Sequence, residues 1–302
     1  MDDHDDSFHA DVIGERRQLV SLAFRMLGTV AEAEDAVQEA YFRWYRLTPE
    51  ERKAIDIPQA WLMRAASRVC LNILASARRR RESYVGPWLP EPVPAYAFPA
   101  TGSAAEDPLE HVTLDDSVST ALLVVLDSMT PAERVAFVLH DVFAVPFADI
   151  AEIVGRTPAA CRQLASSARR RVRTKQSSRA SRAAHDDIVR AFAAAVRTGD
   201  VAGLVAVLDP GVVLRSDGGG FVTAARNPVA GADKVARFLL GSLAKFGNAL
   251  VEEQDTPDGL GFALWDDGKI LGVATLEVAG DVVTDIALMM NPYKLTLWNQ
   301  RR

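Results

Sequence analysis

Residues 145–173 read VPFADIAEIVGRTPAACRQLASSARRRVR. Ile150, Ala151 and Val154 recur at helical spacing, Gly155 supplies a tight turn, and Thr157 caps a second helix whose first position suits Pro158. That helix opens with small residues. Ala159 and Ala160 allow close approach to base edges, and Arg162 and Gln163 are long enough to reach them. Arg169, Arg170 and Arg171 follow a turn or two later, where phosphates would lie. Cys161, Leu164 and Ala168 form the stripe expected to be buried. An ordinary helical hairpin with a charged face would not need glycine, cap, proline and basic run in one register, so the stretch predicts a DNA-binding helix-turn-helix.

Such a basic segment is unexpected in a chain of formal net charge -6. The charge is segregated. Residues 1–13 hold five acids and no Lys or Arg, and residues 14–81 hold thirteen bases against eight acids. Residues 82–155 hold twelve acids and one base, Arg134, before nine bases and no acid in residues 156–182. Two basic blocks, each ending a helical pattern, point to a polyanion touched at two places.

Working outward, 302 residues with 49% hydrophobic content can supply cores for two or three domains. Leu19, Leu22, Ala23, Met26 and Leu27 mark one helix, broken at Gly28. Thr29 then caps another carrying Ala36, Val37, Ala40, Tyr41 and Trp44. A loop is expected over LTPEERKAIDIP, and Pro58 opens a helix with Trp61, Leu62, Ala65, Val69 and Ile73 that ends in ARRRRE. Trp61 reads as a core anchor rather than a base-stacking platform. Residues 84–108, rich in Pro, Gly and Ala, read as a linker whose aromatic residues pack on something. After a helix over 183–198 the character changes: GVVLRSDGGGFVTAA, GFALWDDGKILGVATLEV and DVVTDIALMM alternate or run β-branched, which predicts a small α+β domain.

Asp35, Gln38 and Glu39 share one helix face. Cys70 and Cys161 sit in apolar helical patterns without neighbouring Cys or His, so no disulfide, metal site or cofactor is indicated. No apolar run approaches the length of a membrane span, and the acidic N-terminus is unlike a secretory signal. The expectation is a cytoplasmic protein with no membrane partner.

The whole arrangement resembles the bacterial extracytoplasmic-function sigma factors of RNA polymerase. AEDAVQEAYFRW and PQAWLMRAASRVCLNILASARRRR are similar to their region two, and MTPAERVAFVLHDVFAVPFADIAEIVGRTPAACRQL to their region four. WLPEP, SDGGG and NPYKL resemble a subgroup with a SnoaL-like domain fused behind region four. The resemblance implies a multidomain fold: two all-α sigma domains, a region-two helical bundle and a region-four helix-turn-helix, followed by an α+β SnoaL-like cone-shaped sheet domain. The expected boundaries are 8–82 for region two, 83–112 for the linker, 113–176 for region four and 183–297 for the SnoaL-like regulatory domain.

By the same resemblance, Asp35, Gln38 and Glu39 dock on core RNA polymerase. Asn72 and Arg78, Arg79, Arg80 and Arg81 meet promoter DNA, as do Thr157, Arg162, Gln163, Ser166, Arg169 and Arg170. Trp88, Leu89, Pro90, Glu91 and Pro92 are expected to meet Asp217, Gly218, Gly219 and Gly220 together with Asn291, Pro292, Lys294 and Leu295 in a regulatory contact. Three departures stand out. Ser166-Ser167 replaces a common His-Arg, Phe221 follows the glycines where a base is common, and Tyr293 replaces an acid. The last two predict a more apolar contact.

The SnoaL-like fold also hosts enzymes that use a buried carboxylate, for which Asp217 and Asp285 are the candidates. Asp217 is explained as a turn former before three glycines, and His185 is not expected to face Asp186 or Asp187. A regulatory domain without catalytic residues is therefore the expectation, with room for a small ligand. The competing readings are a ligand-responsive helix-turn-helix repressor or activator, which has no need of the Asp35 face, and an enzyme with a DNA-binding tether.

Overall fold

The computed structural model describes residues 16–82, 84–97, 118–176, 180–246 and 249–300, with side chains left aside at 77–82 and 175–176. The chain divides into two compact units. Among the described residues, 16–80 and 126–171 make the first, and 81–82, 84–97, 118–125, 172–176, 180–246 and 249–300 the second. The described part of the linker, residues 84–97, and residues 118–125 thus belong with the sheet.

The first unit is helical. Helix α1 spans residues 16–27 and α2 Val30–Arg46, separated by Gly28 at φ 84°. Thr29 stands at the N-cap but does not cap with its side chain, because its hydroxyl donates to Glu32 at 3.1 Å. The expected loop after α2 contains a short helix, α3 (Pro49–Lys53), closed by a capping box in which Thr48 and Glu51 satisfy each other's backbone N–H. Helix α4 (Pro58–Glu82) starts at the proline. The rings of Trp44 and Trp61 meet with centroids 5.3 Å apart, so Trp61 is a packing residue.

Beyond α5 (Thr120–Asp127), a second capping box, Thr130 with Glu133, starts α6 (Pro131–Phe137), which runs into a π-helical turn, Val138–Val142. Then come α7 (Phe147–Val154) and α8 (Pro158–Gln176). Arg134, 2% exposed, donates to the Arg25 carbonyl at 3.3 Å and to Asp127 at 3.4 Å. Burial lowers its pKa to about 10, so it remains a cation at neutral pH.

The second unit is built on a six-stranded sheet in the order β2-β1-β6-β5-β4-β3. The strands are β1 (Leu208–Asp217), β2 (Val229–Ala230), β3 (Leu250–Thr256), β4 (Gly259–Asp266), β5 (Lys269–Ala279) and β6 (Val282–Met289). Only β1 and β6 run parallel; the other neighbours are antiparallel. Helices α9 (Arg182–Thr198), α10 (Val201–Val207) and α11 (Ala232–Leu243) cover one face, with a core that includes Phe192, Leu204, Val235, Leu214, Phe262, Leu276 and Ile286. The alternate residues of the same strands, Ala263, Val273 and Met289, point to the other face and pack with Leu89, Leu295 and Trp298. Trp298 belongs to a final short helix, α12 (Thr296–Asn299). The strand signal continued past Asp217 in the sequence, but β1 stops there, and Gly218–Ala225 forms a turn and loop.

Candidate functional site

The helix-turn-helix follows from local chemistry. Gly155 ends α7 at φ 70°, a conformation that costs other residues a backbone clash, and the Thr157 hydroxyl accepts from Ala160 N–H at 3.2 Å. Cys161, Ala165, Ala168 and Val172 form the buried stripe of α8; Leu164, expected in it, is only half-buried, and Ala165 takes the inner position. Thr157, Arg162, Gln163, Ser166 and Arg170 are exposed on the same helix. The Arg162 guanidinium lies 5.6 Å from the Phe147 ring centroid. Arg169 differs from them: its guanidinium binds the buried carboxylate of Asp141, which makes it a brace within the unit. Ser167 likewise turns inward, donating to Glu133 at 2.9 Å.

On α2, Asp35 and Gln38 are exposed, and Glu39 pairs with Arg43 at 2.8 Å. Sequence reasoning missed two neighbours on that stripe. Phe42 and Tyr45, 57% and 64% exposed, follow Gln38 at offsets of four and seven and add apolar surface to the face. Their helical spacing from Asp35 was the available signal. Asn72 is exposed on α4. Arg78, Arg79, Arg80 and Arg81 lie outside the residues whose side chains are described. Nearer the start of α4, Arg64 reaches Asp149 at 2.9 Å and Glu152 at 3.0 Å on α7.

In the second unit, Asp217 is fully buried and ends β1. Its Oδ2 accepts from Leu89 N–H at 2.9 Å and from Lys294 Nζ at 2.8 Å, and its Oδ1 from the Tyr84 hydroxyl at 2.6 Å and Gly219 N–H at 3.0 Å. Lys294 also donates to the Leu89 carbonyl at 2.6 Å and stands 4.3 Å from the Trp88 ring centroid. Burial, then the hydrogen bond and charge of Asp217, push the Tyr84 phenol well above its ordinary pKa, which keeps it a donor. Asn291 donates to the same hydroxyl at 2.9 Å. At Gly219, φ 62°, any β-carbon would collide with the Asn291 amide. Trp298 closes the far end by donating to the Pro92 carbonyl at 2.8 Å. Leu89, Pro90, Glu91 and Pro92 are buried, as is Leu295, whereas Pro292 is exposed.

The three short motifs therefore meet in one clasp, but its centre is not more apolar than an ion pair. Phe221 and Tyr293 make their edge-to-face contact, 4.8 Å between centroids, on the outside, where they are 61% and 68% exposed. A second anchor was not foreseen: Asp258, in the β3–β4 turn, accepts from Thr120 N–H at 2.8 Å and Ala121 N–H at 3.0 Å, capping α5.

The carboxylates considered for catalysis are engaged. Asp217 is held by four donors, and Asp285 pairs with Arg215 at 2.8 Å. His185, contrary to expectation, does meet Asp186: the Asp186 side chain bends back along the helix to 2.9 Å from Nδ1, while Nε2 faces the Leu276 carbonyl at 3.1 Å. The i,i+1 rule fails here because the carboxylate also receives Leu260 N–H from β4, which fixes its rotamer. Cys70 and Cys161 are buried thiols, and burial pushes Cys70 up to about 12. Among the described residues no His, Cys, Asp or Glu group could hold a metal ion, and no helix is long and apolar enough to cross a membrane.

Comparison with known proteins agrees along the chain. The family "Sigma-70 region 2" matches residues 13–80, and "Sigma-70, region 4" matches residues 119–172. The ECF RNA polymerase sigma factor SigJ of Mycobacterium tuberculosis is 45% identical over 237 residues, 78% of this chain and 73% of that protein. The probable ECF RNA polymerase sigma factor SigI of the same species is 36% identical over 283 residues, 93% of this chain and 92% of its own. The crystal structure of M. tuberculosis SigJ superposes with a TM-score of 0.68 at 36% identity, covering 95% of this chain and 98% of that one. A repressor or a tethered enzyme would share the helix-turn-helix or the sheet but not the whole succession of elements; the chain belongs to the extracytoplasmic-function family of RNA polymerase sigma factors.

Proposed function

We propose that this sigma factor, which binds core RNA polymerase and directs promoter-specific initiation, is controlled by its own sheet domain through the Asp217 clasp. It works in the cytoplasm, where polymerase and promoter DNA are. The α2 stripe of Asp35, Gln38 and Glu39, extended by Phe42 and Tyr45, is the polymerase-docking face, since carboxylates and an amide beside exposed aromatic rings suit a basic partner with apolar stems. Thr157, Arg162, Gln163, Ser166 and Arg170 face the distal promoter element, and Asn72 with Arg78 to Arg81 the melted one. Arg169 is left out of this set because its charge is already neutralised by Asp141.

The observation that carries the control is the union of Leu89 with Asp217 and Lys294, buried groups more than two hundred residues apart at their widest. A linker held by main-chain hydrogen bonds to a buried ion pair is constrained as long as the sheet domain is intact. The domain acts as a regulator and not as a catalyst, because both carboxylates that could serve as a base are spent on structural partners. The test is promoter-dependent transcription with purified core polymerase, comparing the full chain, Lys294→Met and the double variant Asp35→Ala/Gln38→Ala. The double variant should fold and fail to bind polymerase, and Lys294→Met should change transcription without changing DNA binding by the helix-turn-helix. Equal transcription by Lys294→Met and the unaltered chain would remove the clasp from control.

A further inference from the structure

The arginines of α8 are not equivalent. Arg169 binds the buried Asp141 carboxylate and Arg171 lies 3.6 Å from Glu133, so both are engaged within the helical unit. Arg162 is exposed and has no carboxylate partner among the described residues. Its guanidinium instead lies over the ring of Phe147, 5.6 Å from the centroid, within the range of a cation–π contact.

Phe147 is the first residue of α7, so the ring reaches the recognition helix from the other helix of the pair. The ring is itself held. His140 packs against it with centroids 3.9 Å apart and 32° between the planes, and the His140 Nδ1 faces the Val145 carbonyl at 3.1 Å. Both side chains are half-buried. His140 and Asp141 are neighbours in the π-helical turn Val138–Val142, a kind of turn that often marks a functional position. That one turn therefore braces α8 twice, directly from Asp141 to Arg169 and through Phe147 to Arg162.

An arginine on an exposed helix face samples many rotamers, and a site that needs one of them bears the cost of ordering it. A ring beneath the guanidinium narrows that choice before DNA arrives. Stacking occupies the face of the guanidinium and leaves its in-plane N–H groups for the O6 and N7 of a guanine, a pairing that the point charge of lysine does not reproduce. We propose that Phe147, held by His140, is a positioning residue that presets Arg162 to read one guanine of the distal promoter element. Specificity at that base pair is then set in part from outside the recognition helix. The inference rests on the promoter-facing reading of Arg162 given above.

The probe is a library of random-sequence duplexes, selected with holoenzyme assembled from the full chain and core RNA polymerase, and sequenced. The unaltered chain should select an upstream guanine that Arg162→Ala no longer selects. Titration of that duplex against its guanine-to-adenine counterpart gives a discrimination ratio. Phe147→Leu should lower the ratio roughly two- to fivefold, the worth of a cation–π contact. Phe147→Tyr, which keeps the ring, should hold it. His140→Ala should lower it in the same direction, and serves alone if thermal unfolding shows Phe147→Leu to be unfolded. The slope of affinity against salt should stay that of the unaltered chain in Phe147→Leu, because no phosphate contact is removed. In the Arg162→Ala background Phe147→Leu should change the ratio no further. If Arg162→Ala erases the guanine preference while folded Phe147→Leu and His140→Ala keep it whole, the positioning role is overturned and the reading of Arg162 stands. A further fall on adding Phe147→Leu to Arg162→Ala would overturn it as well, since the ring would then act by another route. A guanine preference that survives in Arg162→Ala, or is missing from the unaltered chain, overturns both.

Discussion

Lys294 exchanges water for two ring faces, a carbonyl and the Asp217 carboxylate, and both members of the pair are nearly inaccessible. Such a pair adds little over a well-packed apolar replacement of both residues, but removal of one member strands the other charge. Lys294→Met should therefore lower the stability of the second unit by about 3–5 kcal/mol, whereas Lys294→Met combined with Asp217→Leu should recover part of that loss. Chemical unfolding followed by tryptophan fluorescence would measure both. Two carboxylates set the response to acid. Burial pushes Glu133 up, but the Thr130 N–H and hydroxyl, Ser167 and Arg171 together hold it below its ordinary value; Asp186 is lowered against burial by His185, Leu260 N–H and Arg182. A group held below its unfolded pKa stabilises above that unfolded value, and the contribution fades as pH falls through the folded one. Stability should thus decline below the ordinary Glu and Asp values of 4.5 and 3.8, and Glu133→Gln should flatten the decline in urea midpoints measured across acid pH. The long-range partnerships were not legible in the sequence, since Glu133 meets Ser167 across 34 positions and Asp186 meets Leu260 across 74. The Thr130–Glu133 box and the Arg182–Asp186 pair, three and four residues apart, are the local ones that helical spacing announces.

At the scale of elements, local rules read well where a single residue type is needed. Gly155 has open space around a hypothetical β-carbon, so its role is purely conformational. Gly155→Ala should cost about 1–2 kcal/mol in unfolding and weaken promoter-duplex binding, with Gly155→Asn less damaging because asparagine tolerates the left-handed region. The Pro58 start of α4, the α7-turn-α8 arrangement and the Asp267-Gly268 hairpin turn, both residues at positive φ, follow from such rules. Strand β3 does not. LVEEQDT places charges along the sheet edge, with Leu250 63% exposed, so it lacks the apolar alternation that marks an inner strand. Helix α3 was hidden for a different reason: five residues bury no side chain, and only the capping box records it. The Arg64 contacts with Asp149 and Glu152 are partly exposed and contribute at most modestly to stability, so salt rather than mutation is the better lever on them.

For the whole molecule, the order of regions was readable from composition and motif, while the physical units were not. Residues 84–97 have no regular element and 118–125 begin an α-helix, yet both belong with the sheet, through Asp217, Lys294, Trp298 and Asp258. Contacts that distant leave no local periodicity; the only trace was three short motifs of unusual composition. Ending the chain near Arg182 should then release more than a domain: amide exchange at Leu89, Thr120 and Ala121 should rise by orders of magnitude relative to the full chain, and protection persisting there in the shortened chain would assign those amides other acceptors.

The bond from Lys294 to the Leu89 carbonyl spans 205 positions of sequence, which gives it a place in time. A ribosome adding about 5–20 residues per second has the linker finished about 10–40 s before Lys294 is made. Every newly made molecule therefore passes through an interval in which helices α1 to α4 are complete and its linker has nothing to close on. During rapid synthesis a fraction of the population would be newborn, with Leu89 not yet joined to Lys294, and that fraction is set by the rate of translation.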